Sequence, residues 1–161
     1  MRSVSRTSET SRYNVLMKTN RSGNYANMKK VDIPYEMLSQ DAFSEWLGIE
    51  ILECEIGRCK LGMTIRKEML NSMNKAHGGI SYALADTAFG FAANTHGKYA
   101  VSIETSINHI EALNEDDYLV AESVIEKVNT KLGFNIVEVK RGDELVALFK
   151  GVVYRTQKEW I

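Results

Sequence analysis

The spacing of hydrophobic residues divides most of the chain after residue 33 into helices and strands. The segment "PYEMLSQDAFSEWLG" predicts a helix over 34–47, because Pro34 suits the first turn of a helix and Gly48 suits its end. "IEILECEI" and "RCKLGMTI" alternate around "GR" and predict a β-hairpin over 49–66. Cys54 and Cys59 then lie close together across the hairpin, where we expect packing thiols rather than a disulfide.

One long helix is predicted from Gly78 to about Thr95, and its apolar and small residues surround it, which is typical of a helix buried on most sides. Four strands follow, at about 99–110, 117–129, 133–141 and 144–155. This order predicts an α+β domain in which the hairpin and a four-strand meander form one antiparallel sheet, with the helix against its concave face. The surfaces left uncovered favour dimerisation through sheet edges or faces.

Composition narrows the class of protein. The chain has 161 residues, 44% of them hydrophobic and 25% charged, as expected for one globular domain. No apolar run reaches the roughly eighteen residues of a membrane span, so we expect no membrane partner. Two cysteines are too few for a disulfide framework and lack the spacing of a zinc site. We therefore expect reduced thiols, a cytoplasmic protein and no metal.

Charge is unevenly distributed. Residues 1–30 hold seven of the twenty Lys and Arg residues but only one of the twenty-one acidic ones. This pattern predicts a basic, disordered tail or leader over 1–30, ahead of a domain over 31–161. An organellar transit peptide is the alternative for the same segment. The acidic excess of the remainder, and the lack of a basic, aromatic groove, argue against a nucleic-acid partner.

A lone acid marks the long helix. Asp86 is the only charged residue between His77 and Lys98, in the run "HGGISYALAD" over 77–86 and the apolar residues after it. Burying an unpaired carboxylate is costly unless it finds a partner or stays protonated. Asp86 is therefore either a structural aspartate hydrogen-bonded to a neighbouring chain or a group with a catalytic role.

The start of the same helix favours the catalytic alternative. Gly78 and Gly79 stand where backbone N–H groups lack helical partners and the helix dipole favours negative charge, which suits a developing oxyanion. Gly78 and Asp86 are about 12 Å apart along the helix, whereas a nucleophile and an oxyanion donor must both lie about 3 Å from the reacting group. Two antiparallel copies of the helix can meet that requirement, and a dimer with two interfacial sites is predicted. Small residues permit the approach: Ala83, Ala85 and Gly90.

These residues carry a family resemblance. From about Met37 to Tyr154 the chain resembles hotdog-fold acyl-CoA thioesterases of the PaaI (phenylacetate-degradation) type. The resemblance is strongest in "MLNSMNKAHGGISYALADTAFGFAANTHG" (69–97), "AVSIETSINHI" (100–110) and "VALFKGVVYR" (146–155). Asn71 stands six residues before His77 and Asp86 nine after it, at the spacing of that family.

The resemblance implies roles for individual residues. It makes Asp86 the nucleophile or the general base that activates water, and it makes the Gly78 N–H the group that polarises the thioester carbonyl. Asn71 would orient the substrate or the attacking water, and Ser102 would assist from the following strand. His77 would anchor the loop before the helix.

The resemblance also implies how substrate binds and how the chain assembles. Substrate contacts are expected at His77 and Gly79, and CoA contacts near the turn "NTKLGF", at Lys131 and Gly133. "EAL" (111–113) stands where the family often has Arg-Pro, which removes a basic residue near one end of the site. We expect an acyl-CoA substrate, no separate cofactor since CoA is part of the substrate, and a homo-oligomer that is a dimer or a dimer of dimers.

Two other functions fit the same pattern. A non-catalytic acyl-CoA-binding or regulatory protein could use this fold without turnover, although the segment before the domain is too short for an appended DNA-binding module. A hotdog dehydratase or hydratase needs a paired histidine and acid, whereas the only histidine of the motif, His77, stands at the helix start.

Overall fold

The computed structural model describes residues 28–161, so the predicted basic tail over 1–30 lies almost wholly outside the described residues. The helices are α1 (Ile33–Ser39), α2 (Ala42–Leu47) and α3 (Gly78–Asn94), with short 3₁₀ turns at Lys30–Asp32 and Lys67–Met69. The strands are β1 (Glu50–Glu55), β2 (Arg58–Thr64), β3 (Lys98–His109), β4 (Tyr118–Val128), β5 (Leu132–Arg141) and β6 (Glu144–Glu159). Within residues 28–161, no helix has the length and apolar character needed to cross a membrane.

The prediction of one helix over 34–47 is wrong, because the chain forms two helices there. The Asp41 carboxylate accepts hydrogen bonds from the N–H groups of Phe43 and Ser44, so it caps a new helix in the middle of the predicted one. The predicted end is confirmed, since Gly48 takes a left-handed conformation with φ 73°.

The hairpin is confirmed, but the prediction of free cysteines is wrong. Cys54 on β1 pairs directly with Cys59 on β2, and the two sulfurs form a disulfide. Direct opposition on neighbouring strands brings the two Cβ atoms within disulfide reach, so the expected proximity is confirmed and only the expected thiol state is wrong. The disulfide also removes the reduced thiols on which the expected cytoplasmic location partly rested.

The disulfide can be tested by counting thiols and by measuring the stability of a variant without the cysteines. Protein purified without reductant and then denatured should show no free thiol, and two thiols per chain after reduction. Replacing both cysteines by serine should lower the free energy of unfolding by about 2 kcal/mol, because the closed loop is short. Two free thiols in the unreduced, denatured protein would contradict the pairing.

The six strands form one antiparallel sheet, but the predicted four-strand meander is wrong in its first strand. The order is β1-β2-β4-β5-β6-β3, so β4, β5 and β6 follow one another while β3 pairs with β6 at the far edge. The helix α3 separates β2 from β3 in the chain, and this connection carries β3 across the sheet. As a result, β2 pairs with β4 and not with β3, the strand that follows it in the chain.

The helix α3 lies against the concave face of this sheet, which confirms the predicted hotdog arrangement. Leu84, Ala88 and Phe89 are buried in the core, and the Phe89 ring packs on Gly151 of β6 so closely that a Cβ there would lie 2.8 Å from it. One stripe of the helix remains accessible to solvent in the single chain: Gly79, Ala83, Asp86 and Gly90.

Candidate active site

The loop before α3 is closed by short-range hydrogen bonds that place His77 at the helix start. Leu70 pairs with Ala76, and the His77 N–H donates to the Met69 carbonyl at 2.9 Å. His77 is the N-cap, and its Nδ1 accepts a hydrogen bond from the Gly79 N–H at 3.1 Å. An accepting Nδ1 places the ring proton on Nε2. His77 thus holds the end of the helix, as its predicted role as an anchor requires.

The cap leaves one backbone donor open at the helix start. The Gly79 N–H is bound by His77, and the Ile80 N–H donates to the His77 carbonyl at 2.8 Å. The Gly78 N–H makes no hydrogen bond to any residue in 28–161. Because it also lies at the positive end of the helix dipole, it is suited to polarise a carbonyl or to stabilise an oxyanion.

Asn71 uses one side of its amide group to hold the loop. Its Oδ1 accepts hydrogen bonds from the N–H groups of Met73 and Lys75, at 2.9 and 3.2 Å. Its Nδ2 makes no hydrogen bond within the described part of the chain. The loop thus fixes the orientation of the Asn71 amide and leaves its donor group for another molecule.

Asp86 lies eight residues further along α3 and is half-buried. Burial raises the pKa of its carboxyl group above the ordinary range for aspartate. No hydrogen bond or ion pair to Asp86 occurs among residues 28–161, so the single chain does not provide the partner that a structural aspartate needs. A perturbed carboxylate without a partner is typical of a functional site.

Contacts between α3 and β3 place Asp86 level with Ser102 along the helix axis. The Tyr82 hydroxyl lies 2.6 Å from the Thr105 hydroxyl, and the Asn94 side chain bonds the backbone of Ala100, so the two elements run antiparallel. Asp86 is one turn after Tyr82, about 6 Å along the helix, which places it level with the middle of β3. Ser102 lies there, beside the irregular pairing between residues 102 and 104.

Ser102 and Gly133 lie in one row across the sheet. Val153 of β6 pairs with Ser102 on one side and with Gly133 on the other, so the two residues are about 10 Å apart on the helix-facing side. Gly133 also has a packing role, since a Cβ there would lie 2.9 Å from the Val153 side chain. Lys131 is exposed in the adjoining turn and lines a shallow depression together with Asn129, Thr130, Leu132 and Tyr154.

The predicted site residues therefore form two groups in one chain. Asn71, His77, Gly78 and Gly79 lie at the start of α3, and Asp86, Ser102, Gly133 and Lys131 lie around its middle and the adjoining end of the sheet. About 12 Å of helix separates the Gly78 donor from the Asp86 carboxylate. A single chain does not bring both to one carbonyl group.

The free edge of β3 adjoins the second group. Val101 and Ile103 are 51% and 58% exposed there, and within residues 28–161 no strand covers this edge. An uncovered, apolar edge strand is a surface for pairing with another chain. Of the small residues expected to permit helix approach, Ala83 and Gly90 lie on the accessible stripe, but Ala85 is fully buried in the core, so that part of the prediction is wrong.

Sequence reasoning missed one residue beside the helix start. His109, the last residue of β3, places its ring against Gly78, and its Nδ1 lies 3.3 Å from the Ser81 hydroxyl. It stands 31 positions after Gly78, and no sequence signal links the two. Residues 28–161 contain no group of three His, Cys, Asp or Glu side chains placed to hold a metal ion.

Comparison with known proteins places this geometry in context. A family model described as the thioesterase superfamily matches residues 73–148. A putative esterase from Archaeoglobus fulgidus is 42% identical over 125 residues, covering 77% of this chain and 81% of the relative. The acyl-coenzyme A thioesterase PaaI of Escherichia coli is 33% identical over 122 residues, covering 75% of this chain and 87% of the relative.

Solved structures agree with these relatives. The structure of the Escherichia coli PaaI protein from the phenylacetic acid degradation operon is similar with a TM-score of 0.78 and 30% identity, covering 81% of this chain and 96% of that one. A mutant of the phenylacetic acid degradation protein PaaI from Thermus thermophilus gives a TM-score of 0.70 and 34% identity, covering 72% and 100%.

Proposed function

Because the chain belongs to the thioesterase superfamily and is a thioester hydrolase of the PaaI type, we propose that it hydrolyses acyl-CoA thioesters to a free acid and CoA. The observation that carries this proposal is the pairing of a free Gly78 N–H at the start of α3 with an unpartnered, half-buried Asp86 on the same helix. The Gly78 N–H is suited to donate a hydrogen bond to a carbonyl oxygen, and Asp86 is suited to attack on the carbonyl carbon.

The proposed reaction uses these groups at one carbonyl. The Gly78 N–H donates a hydrogen bond to the thioester oxygen and stabilises the negative charge that develops on it. Asp86 either attacks the carbonyl carbon and expels CoA thiolate, giving a mixed anhydride that water then hydrolyses to the free acid and Asp86, or it takes a proton from a water that attacks the carbonyl as CoA thiolate leaves. Asn71 orients the substrate or the water through its free Nδ2, and Ser102 assists beside Asp86.

The site is proposed to form between two chains. Gly78 of one chain would face the partner subunit's Asp86, which closes the 12 Å gap that separates these groups along one helix, at about 1.5 Å per residue. The accessible stripe of α3 and the free edge of β3 are the surfaces that support this pairing. The turn around Lys131 and Gly133 would then hold the CoA portion of the substrate near Ser102.

Thiol release from a panel of acyl-CoA thioesters tests the activity. Phenylacetyl-, benzoyl-, hexanoyl- and palmitoyl-CoA should distinguish aryl from medium-chain and long-chain specificity. We expect turnover of at least one class by the wild-type protein. Binding of acyl-CoA without any thiol release would instead favour a non-catalytic acyl-CoA-binding or regulatory protein.

Mixed dimers test the shared site. Asp86→Asn and Gly78→Pro chains, each inactive alone, are unfolded together and refolded as a mixture. Random pairing makes about half of the dimers mixed, each with one intact site of two, so about a quarter of the wild-type activity should return. Separately refolded and then combined proteins are the control. If each site lay within one chain, the mixture would recover no activity.

A further inference from the structure

His109 occupies the space beside the proposed oxyanion donor. The three atoms nearest to the position of a Cβ on Gly78 all belong to the His109 ring, and the nearest of them, Nε2, is 3.1 Å away. His109 pairs with Ala147, a core residue of β6, so its side chain is on the helix-facing side of the sheet. A Cβ at position 78 would be a tight contact with this ring, which would have to move by a few tenths of an ångström.

The other ring nitrogen of His109, Nδ1, lies within hydrogen-bond distance of a serine hydroxyl on α3. Ser81 lies on the first turn of α3 and is 2% exposed. Its hydroxyl donates to the Gly78 carbonyl at 3.2 Å and also lies 3.3 Å from His109 Nδ1. The helix already provides a backbone partner for that carbonyl. The hydroxyl can therefore rotate to donate to Nδ1 instead, and the ring proton of a neutral His109 is then on Nε2.

The helix start by itself offers a single open backbone donor to an oxyanion. Within the described chain, only the Gly78 N–H is open there, because His77 uses the N–H groups of Gly79 and Ile80. An oxyanion is stabilised best by more than one donor aimed at it. The Nε2 atom of His109 is the side-chain nitrogen placed next to Gly78 by the fold.

We propose that His109 is a second donor to the thioester carbonyl, its Nε2–H acting beside the Gly78 N–H, with Ser81 as the positioning residue that fixes the ring tautomer. This inference rests on the proposed thioesterase function and adds a residue to it. The negative charge that develops on the carbonyl oxygen during attack is then shared between two hydrogen bonds, and His109 transfers no proton.

Two substitutions of His109 distinguish a role as hydrogen-bond donor from a role in packing. His109→Leu keeps an apolar side chain of similar bulk and removes the donor, so kcat should fall by about a hundredfold, as for loss of one oxyanion-hole donor, with little change in KM. His109→Gln retains an N–H donor and should keep most of the wild-type kcat. Equal loss in both variants would overturn the proposal in favour of a packing role, and unchanged turnover in both would overturn it outright.

The tautomer of the His109 ring can be measured directly, without an activity assay. The chain has three histidines, and the ¹⁵N ring signals of His109 are those missing from the His109→Gln protein. We expect Nε2 to be protonated in the wild-type protein and the tautomer to shift in Ser81→Ala. A proton on Nδ1 in the wild type would overturn the proposal. Absence of thiol release from wild type would overturn the thioesterase function itself, whereas normal release with an unaffected His109→Leu variant overturns only the role of His109.

Discussion

Replacing Asp86 by asparagine is expected to lower kcat for thiol release by about a thousandfold, the scale at which a positioned general base contributes. Asparagine has nearly the same shape as aspartate, so the packing of α3 should not change. It cannot attack a carbonyl or take a proton from water, and both versions of the proposed mechanism need one of these steps. Steady-state thiol release with the preferred acyl-CoA measures the effect.

The pH dependence of wild-type activity should report the ionisation of Asp86. Burial raises the pKa of Asp86, and the carboxylate is the reactive form. Activity should therefore increase with pH along an acidic limb whose midpoint lies above the ordinary pKa of aspartate. The limb should be absent from the residual activity of Asp86→Asn.

Stability should change in the opposite direction to activity. Because the folded protein holds the Asp86 proton more tightly than the unfolded chain, the free energy of unfolding falls as pH rises from the ordinary pKa of aspartate to the raised one. An asparagine side chain does not ionise, so the Asp86→Asn protein should be at least as stable as wild type near neutral pH, by urea unfolding. Retained thiol release by this stable variant would contradict a catalytic Asp86.

Gly78→Pro is the second substitution with a large expected effect. Proline is well tolerated at the first position of a helix, and His77, with φ −62° and ψ 135°, already has the extended conformation that a following proline requires. The substitution removes the one open N–H at the start of α3 within the described chain and places the proline ring there. We expect kcat to fall by about a hundredfold or more.

Gly78→Ala is the matched control for this experiment. It adds a Cβ at the same position, 3.1 Å from His109 Nε2, but keeps the N–H. The loss specific to the N–H is therefore the difference in kcat between the alanine and proline variants, with circular dichroism and oligomeric state compared for both. Equal turnover in the two variants would remove the Gly78 N–H from the mechanism.

Local sequence patterns were sufficient for the central helix and for proposing half of the candidate site. The apolar and small residues from Gly78 to about Thr95 place the helix within one residue of its observed end at Asn94. Gly78 and Asp86 could be selected as candidates because both lie on that helix, where a fixed rise per residue converts sequence spacing into distance. The same arithmetic gave the separation that led to the proposed dimer.

Features that depend on side-chain bonding and on which strands pair were not accessible in this way. The carboxylate of Asp41 restarts a helix that hydrophobic spacing alone extends through it. The disulfide between Cys54 and Cys59 depends on strand register, which one residue of slip would change. The position of β3 beside β6 depends on which strands pair, and no alternation within a strand specifies its neighbours.

The sequence by itself determined the central helix, the residues at its start and the lone acid along it, because these relations are local and periodic. The tertiary structure decided which groups surround them. The strand β3 brings Ser102 level with Asp86 and His109 against Gly78, and the sheet leaves one stripe of α3 uncovered. Those relations come from pairing and burial between segments far apart in the chain, where the free energy depends on the whole fold rather than on sequence spacing.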